Sequence, residues 1–470
     1  VDREPALSRG IGHSRRRAKR RRESVTLPSP TAGLVAPVSV AEIELADPVS
    51  VTHISVANAD PDCMRQALVL VRLNAQPVTT IVVDAPGGVV DAESCAAAAW
   101  AALETAPDAS LRPGGLPSPP LATRKSGSIG LHCQLEATAA LTAAPSVTVV
   151  VATRERTGSL AACLDSLARL DYPDYEVVIV DNDPVTDDTA KLIADRADPG
   201  IRYAREDRRG LAAAHNCGLQ LAEGTIVAFT DDDVIVDRHW LAEVAKGFTA
   251  DTDVACVTGL ILPAELQTPA QVLLEAHGNF SKGFAQRVLD LGAHRPADPL
   301  FPFTAGRLGS GANMSFDRDI LRKLGGFDPA IGTGTVARGG DDLAAFFAVI
   351  ASGLRLVYQP SALVWHRHRR DSASLAGQAY GYGVGLGAYL ASALANYPAT
   401  IGPALYRAPA GLAYALRATS TRTAHAEGAW PRQLTRLERR GLAFGPVAYG
   451  ISRWRTRGVR RPSAGGVAAR

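Results

Sequence analysis

Residues Ile226 to Asp233 read IVAFTDDD, a short, mostly apolar run that ends in three consecutive carboxylates. An apolar run of this length with β-branched members reads as a buried strand. Carboxylates at its carboxyl end sit where open α/β sheets hold their ligands. Three acids so close repel one another unless a cation or hydrogen-bond donors hold them. Hard divalent ions such as Mg²⁺ or Mn²⁺ take carboxylate oxygens and are often shared with a substrate's phosphates. An acidic loop capping the next helix would show the same letters, because a helix's first turn favours Asp. The stretch alone leaves these two readings in balance.

The neighbouring segments decide between them. Ser146 to Ala152 (SVTVVVA) reads as a first strand and runs into Thr153, Arg154 and Glu155. Leu160, Cys163, Leu164 and Leu167 follow at helical spacing. Glu176 to Val180 (EVVIV) is a second strand ending in Asp181, Asn182 and Asp183; residues 186–197 suit a helix, and Ile201 to Ala204 a short third strand. Gly210 to Ala222 is a helix of small residues able to pack closely on a sheet, and the triple-acid strand comes next. This β-α-β-α-β order predicts a parallel, doubly wound α/β sheet. Polar residues gather at the carboxyl ends of the first, second and fourth strands, where a nucleotide should lie. No phosphate-binding or dinucleotide glycine motif follows the first strand, which weakens P-loop and dinucleotide readings.

Taken in order, VVVATRER (149–156), DYPDYEVVIVDND (171–183), RGLAAAHNCGL (209–219), FTDDD (229–233), GSGANMSF (309–316), GGDDL (339–343) and VWH (364–366) resemble the family 2 glycosyltransferases. The resemblance covers residues 146–370 and implies the GT-A nucleotide-sugar fold with its Rossmann-like sheet. It also implies roles. Thr153, Arg154, Glu155, Asp181 and Asn216 match nucleotide-sugar-binding positions. Asp181 suits a base N–H, because an ionised carboxylate only accepts hydrogen bonds; Asn182 beside it serves equally as a turn residue. Asp231 and Asp233 match the ends of a D-x-D motif, Asp231 nearer the ribose and Asp233 a direct metal ligand. Asp232, the middle residue, joins the nucleotide-binding set or faces solvent as a helix cap. His366 matches a late metal-ligating histidine, although His368 lies two residues on. Gly309 and Gly311 would let backbone approach donor or acceptor closely.

Family members usually carry Glu-Asp where this chain has Asp341-Asp342. By the resemblance, Asp342 is the catalytic base for the acceptor hydroxyl, and Asp341 binds the acceptor. The same GGDD also reads as a helix start, and a capped helix is a rigid platform for a base. The implied reaction is metal-dependent, inverting transfer of a hexosyl or deoxyhexosyl group from a UDP-sugar or dTDP-rhamnose to a glycan or lipid-linked acceptor. A bacterial role in cell-wall or other extracellular polysaccharide synthesis would fit. A nucleotidyltransferase would also use acids to hold metal and nucleotide, and a non-catalytic nucleotide-sugar-binding scaffold would keep the fold; GGDDL and VWH argue against the first, Asp233 and Asp342 against the second.

At 470 residues and 46% hydrophobic content, the chain is expected to build roughly two or three domains. Residues 1–24 read as a disordered basic tail carrying Arg15, Arg16, Arg17, Lys19, Arg20, Arg21 and Arg22. Residues 25–107 read as a small α/β unit with strands VSVAEIEL, ALVLVRL and TTIVVD and a helix from Ala92 to Leu103; residues 108–145 are a linker. Residues 371–470 read as a helical extension packed on the transferase unit and touching the membrane face, with a basic tail. Ser372 to Tyr406 carries no charged side chain, but its glycines, Gln378, Asn396 and Pro398 argue against a simple span. With a net charge of only +3, no specific nucleic-acid partner is expected. Six cysteines without a C-x-x-C pair, and no N-terminal apolar run, predict a reduced cytoplasmic protein. Arg453, Arg455, Arg457, Arg460 and Arg461 around Trp454 suit an anionic surface, which would make it peripheral at the inner face of the plasma membrane.

Overall fold

The computed structural model describes residues 33–46, 48–55, 63–105, 144–278, 280–421 and 430–458. The basic block at 15–22, the Pro-rich stretch at 108–126 and the tail arginines Arg460 and Arg461 lie outside the described residues.

The main sheet begins with β5 (Val147–Thr153), β6 (Tyr175–Asn182), β7 (Ile201–Glu206) and β8 (Ile226–Asp231), which pair in parallel in the order β8-β5-β6-β7. The alternation of side chains along β5 explains its unbroken valines. Val147, Val149 and Val151 pack against Leu160, Cys163, Leu164 and Leu167 of α2 (Thr157–Leu167). Val150 faces the opposite layer, with Ala212, Ala214 and Leu219 of α4 (Leu211–Leu221). Helix α3 (Asp188–Arg196) links β6 to β7. A strand covered on both faces has no polar side to show.

The sheet is not wholly parallel. Strand β12 (Met314–Asp317) lies antiparallel between β8 and β10 (Val254–Pro263), and β10 runs parallel to β13 (Arg355–His366). β11 (Arg287–Leu289) closes that edge, and the three-residue β9 (Val234–Val236) pairs antiparallel with the end of β13. Helices α5 (Trp240–Phe248), α6 (Pro269–Gly278), α7 (Arg318–Lys323) and α8 (Asp341–Ala351) complete this part.

Residues before 106 form a sheet of order β2-β1-β3-β4, with β1 (Val38–Glu44), β2 (Ser50–Ser55), β3 (Gln66–Leu73) and β4 (Gln76–Asp84), followed by α1 (Ala92–Thr105). The sequence had shown three of these strands and the helix; β2 is additional. One face of this sheet covers α1, and the other is buried on the main sheet. There Val38, Val40, Leu68 and Leu70 share a core with Leu260, Leu262, Leu363 and Trp365. Arg72 pins the junction, donating to Glu42 (2.9 Å) on its own sheet and to Asp237 on the other.

The C-terminal part holds α9 (Ser372–Asn396), α10 (Ile401–Thr421) and α11 (Arg432–Arg455). The charge-free sequence of α9 is explained by packing. A Cβ on Gly383 would stand 2.0 Å from the Glu438 carbonyl oxygen, and one on Gly441 2.3 Å from that of Tyr380, so the backbones of α9 and α11 nearly touch. No described helix is long and apolar enough to cross a membrane.

Candidate active site

The carboxyl ends of β5, β6 and β8 open into a cleft of about 730 Å³. Its walls include Thr153, Arg154, Arg156 and Asn182 from the parallel half; Asp231, Asp232 and Asp233 from the end of β8; Gly309 and Gly311 from the loop before β12; Asp341 and Asp342 from α8; and His366 from β13. Gln378, Tyr382 and Leu386 of α9 form the facing wall.

Strand pairing explains how His366 reaches the triple acid. β9 follows Asp233 immediately, and Val234 pairs with His366 at the end of β13; the Arg367 amide donates to the Asp233 carbonyl (3.0 Å). His366 Nε2 then stands 3.2 Å from Asp233 Oδ1. One ligand atom from each of Asp231, Asp233 and His366 falls within 4.8 Å of the others.

The three acids have different partners. Asp232 is buried rather than facing solvent: it accepts from Thr153 Oγ1 (2.7 Å) and from Arg156. Burial pushes its carboxyl up to about 7, against the pull of Arg156. Asp233 accepts from Arg156 Nη2 (2.7 Å). Burial would raise its carboxyl too, but the His366 imidazole and the Arg156 guanidinium hold it below the usual range. Asp231 is half-buried; burial and the neighbouring Asp233 charge raise it. His366 is raised in turn, because Asp233 and Asp231 outweigh the burial that would lower it.

Asp341 and Asp342 begin α8 behind Gly340, whose φ of +90° suits glycine. A Cβ on Gly340 would also stand 2.5 Å from the Gly385 carbonyl oxygen, so α9 rests directly on this turn. The Gly311 amide donates to Asp342 Oδ2 (2.9 Å) and the Leu343 amide to Oδ1 (2.8 Å). Burial, with the Asp341 charge next to it, nevertheless lifts Asp342 to about 6. Asp341 is buried, its Oδ2 3.4 Å from His215 Nδ1. On α9, Gln378 Nε2 donates to the Tyr382 hydroxyl (2.7 Å).

Other expected binding residues lie away from the cleft surface. Asn216 spends both ends of its amide on the backbone of Phe327, at 2.8 and 2.9 Å, and so ties α4 to the segment before α8. Glu155 accepts from the amides of Val185 and Thr186 (2.8 and 3.0 Å), capping the turn after β6. Asp181 is fully buried, bonded to the Tyr203 hydroxyl (3.0 Å), and burial raises its carboxyl. His368 pairs with Glu275 (2.7 Å) in the core, which leaves His366 as the cleft histidine. Gly309, unlike these, does line the cleft, and it must be small because Thr258 fills its Cβ position, 2.5 Å away. The sequence reading passed over Arg156, the cation that binds two of the three acids. Its only signal was a second arginine in the TRER turn.

The described cysteines, Cys63, Cys95, Cys163, Cys217 and Cys256, are all free.

Residues 148–291 match the family model of Glycosyl transferase family 2. A glucosyl-dolichyl phosphate glucuronosyltransferase of Haloferax volcanii is 25% identical over 239 residues, 47% of this chain and 69% of that protein. A pre-mycofactocin glycosyltransferase of Mycobacterium tuberculosis is 30% identical over 227 residues, 47% of this chain but only 43% of that protein. A solved mannosyltransferase from Pyrobaculum calidifontis, in complex with GDP-Man and Mn²⁺, is similar at 20% identity with a TM-score of 0.40, over 69% of this chain and 94% of that one. The family match begins in β5 and runs past the triple acid to β11, while Asp341, Asp342 and His366 lie beyond it. By that match and these relatives, residues 148–291 of this chain are similar to the family 2 glycosyltransferases.

Proposed function

We propose that the chain moves a hexosyl or deoxyhexosyl group, with inversion, from a nucleotide-sugar to a hydroxyl of a glycan or lipid-linked acceptor in cell-envelope or extracellular polysaccharide synthesis. The observation that carries this reading is the gathering of Asp231, Asp233 and His366 in one cleft with Asp342.

The donor set fits a hard divalent ion such as Mn²⁺ or Mg²⁺. It offers carboxylate oxygens and an imidazole, and Asp233 Oδ1 is buried without a well-formed hydrogen bond. Its 3.2 Å approach to His366 Nε2 is close to the roughly 3 Å between neighbouring ligand atoms around an octahedral ion with ~2.1 Å bonds. When bound there, the ion supplies Lewis-acid stabilisation of the nucleoside diphosphate as it leaves.

The protein's own groups do the rest. Asp342 takes the acceptor proton, and its two backbone donors fix the carboxylate's direction. An affinity lifted to about 6 suits a base working near neutral pH. Asp341 orients the acceptor from a position held beside His215. Arg154, Arg156 and Asn182 line the donor side. On the facing wall the Tyr382 oxygen already accepts from Gln378, so its own proton can serve an acceptor oxygen, with Leu386 beside it for apolar contact. An acceptor with an apolar portion suits that wall, and the Haloferax relative is a glucosyl-dolichyl phosphate glucuronosyltransferase. We place the enzyme at the inner face of the plasma membrane.

The test is a panel of UDP-, GDP- and dTDP-sugars incubated with the protein and Mn²⁺. Nucleoside diphosphate released with inverted sugar product supports the reading. Pyrophosphate release would mean nucleotidyl transfer, and binding without turnover would mean a scaffold; either sinks it.

A further inference from the structure

Helix α11 carries apolar side chains that no other described residue covers. Phe444, Val447, Ile451 and Trp454 are all exposed, Val447 at 55% and Trp454 at 66%. Their spacing of three, four and three residues puts them on one stripe of the helix. The opposite stripe, with Leu434, Gly441, Ala448, Tyr449 and Ser452, is buried. The exposed stripe is therefore a surplus that packing does not explain. Toward the start of the helix the same stripe continues as Arg436 and Arg440, and Arg455 flanks Trp454. Among the described residues none of these three arginines makes an ion pair. On α10, which precedes it in the chain, Ile401, Leu405 and Tyr406 are also exposed, Tyr406 at 86%.

Charge singles out the occupant. From Ser372 to Gly458 the sequence contains ten arginines and only two glutamates, Glu427 and Glu438. Glu438 is already paired with His277 (3.1 Å). A second protein chain would cover apolar side chains equally well, but it gives no reason for so one-sided a charge. An anionic lipid surface accounts for both features. Apolar and aromatic side chains enter the headgroup boundary, and arginines at its rim meet phosphate.

We propose that the exposed stripe of α11 is a docking surface for an anionic lipid bilayer, with Phe444, Val447, Ile451 and Trp454 inserted at the interface and Arg436, Arg440 and Arg455 on the headgroups. This surface is independent of the sugar-transfer assignment, because none of these residues lines the cleft.

The test uses the full chain in co-sedimentation with phosphatidylglycerol–phosphatidylcholine vesicles and with phosphatidylcholine vesicles alone. Binding should favour the anionic vesicles and fall as salt rises. Val447→Ser with Trp454→Ser should lower partitioning by about tenfold or more, since each removes apolar area from the inserted face. Arg440→Gln with Arg455→Gln should cost about fivefold per arginine and flatten the salt dependence. Val89→Ser, an exposed apolar position on the N-terminal unit, should bind as the parent does. Thermal unfolding at the parental temperature confirms that each variant is folded. No binding, equal binding to both vesicle types, or equal loss in the Val89 variant would overturn the proposal. So would concentration-dependent self-association abolished by the Val447/Trp454 pair, which would make the occupant a second copy.

Discussion

A carboxylate that removes a proton from a sugar hydroxyl must be ionised at the working pH yet keep appreciable proton affinity, and Asp342 is placed for this. Burial and Asp341 raise it to about 6, while the Gly311 and Leu343 amides limit the rise. Turnover should therefore climb as pH rises through about 6 and level off above it, because the base works only when deprotonated. Asp342→Asn should remove that limb and lower turnover by roughly 10²–10⁴-fold with donor affinity retained. Stability should move the other way. A carboxyl raised above its unfolded value favours the fold while protonated, and that contribution disappears as pH rises from about 4 through 6. The asparagine variant should thus unfold later than the parent at neutral pH, by up to about 3 kcal/mol. A pH–rate profile and denaturant unfolding at two pH values check both halves; an unchanged acidic limb in the variant would move the base elsewhere. At Asp233 the expectation is different. Asp233→Asn should abolish both the Mn²⁺ requirement and the upward thermal shift that Mn²⁺ gives the parent, since a neutral amide is a poorer ligand. A parental shift in the variant would take Asp233 out of the ligand set. The letters of the sequence pointed to Asp233, Asp342 and His366 because each sits in a distinctive motif. They could not separate Asn216 from a ligand contact, because an asparagine bonded to Phe327 backbone and one bonded to a substrate look the same in sequence.

At the level of elements, β5, β6 and β8 were readable because a strand buried on both faces must be apolar throughout, and their acidic ends break that rule abruptly. β9 and the antiparallel β12 were not. Three residues are too few to show a period, and strand direction is set by partners far away in the chain. The same non-local pairing carries His366 to Asp233, so their proximity was implied by the family pattern and never by spacing. Gly218 shows how a helix propensity yields to packing. In isolation Gly→Ala would favour α4 by ~1 kcal/mol. On the sheet, a Cβ at 218 would stand 2.3 Å from Val150 Cγ1 in the core of β5. Gly218→Ala should therefore destabilise the protein by about 1–3 kcal/mol despite its better propensity. Gly218→Ala with Val150→Ala should recover less than the full difference, because the smaller residue leaves its own cavity. Chemical denaturation of the two variants measures this, and a more stable Gly218→Ala protein would show that α4 can shift freely.

At the scale of the whole molecule, residues 25–107 read in the sequence as a small separate α/β unit, yet the structure gives its sheet two buried faces. One covers α1 and the other shares Leu260, Leu262, Leu363 and Trp365 with the transferase sheet. Composition could not reveal this, because a strand covered by its own helix and one covered by a second sheet are equally apolar. The polar counterpart of that seam is Arg72, buried to 6% exposure and shared by Glu42 and Asp237. Burial would raise the Asp237 carboxyl, but His239 and Arg72 hold it below the usual range, so it stays charged inside the seam. Arg72→Ala should leave that charge without its main cation and cost about 3–5 kcal/mol, far more than a surface ion pair is worth. Replacing the pair together, Arg72→Leu with Asp237→Leu, should return much of the loss, because the remaining desolvation penalty goes with the charges. Because the seam is shared, unfolding should remain a single transition in the parent. The Arg72→Ala protein should show an earlier phase that loses the N-terminal sheet while donor binding persists. Fluorescence of Trp100 on α1 and of Trp365 in the seam, read in single-tryptophan variants, would separate the two phases. Coincident traces in Arg72→Ala would mean that the apolar contacts alone couple the sheets.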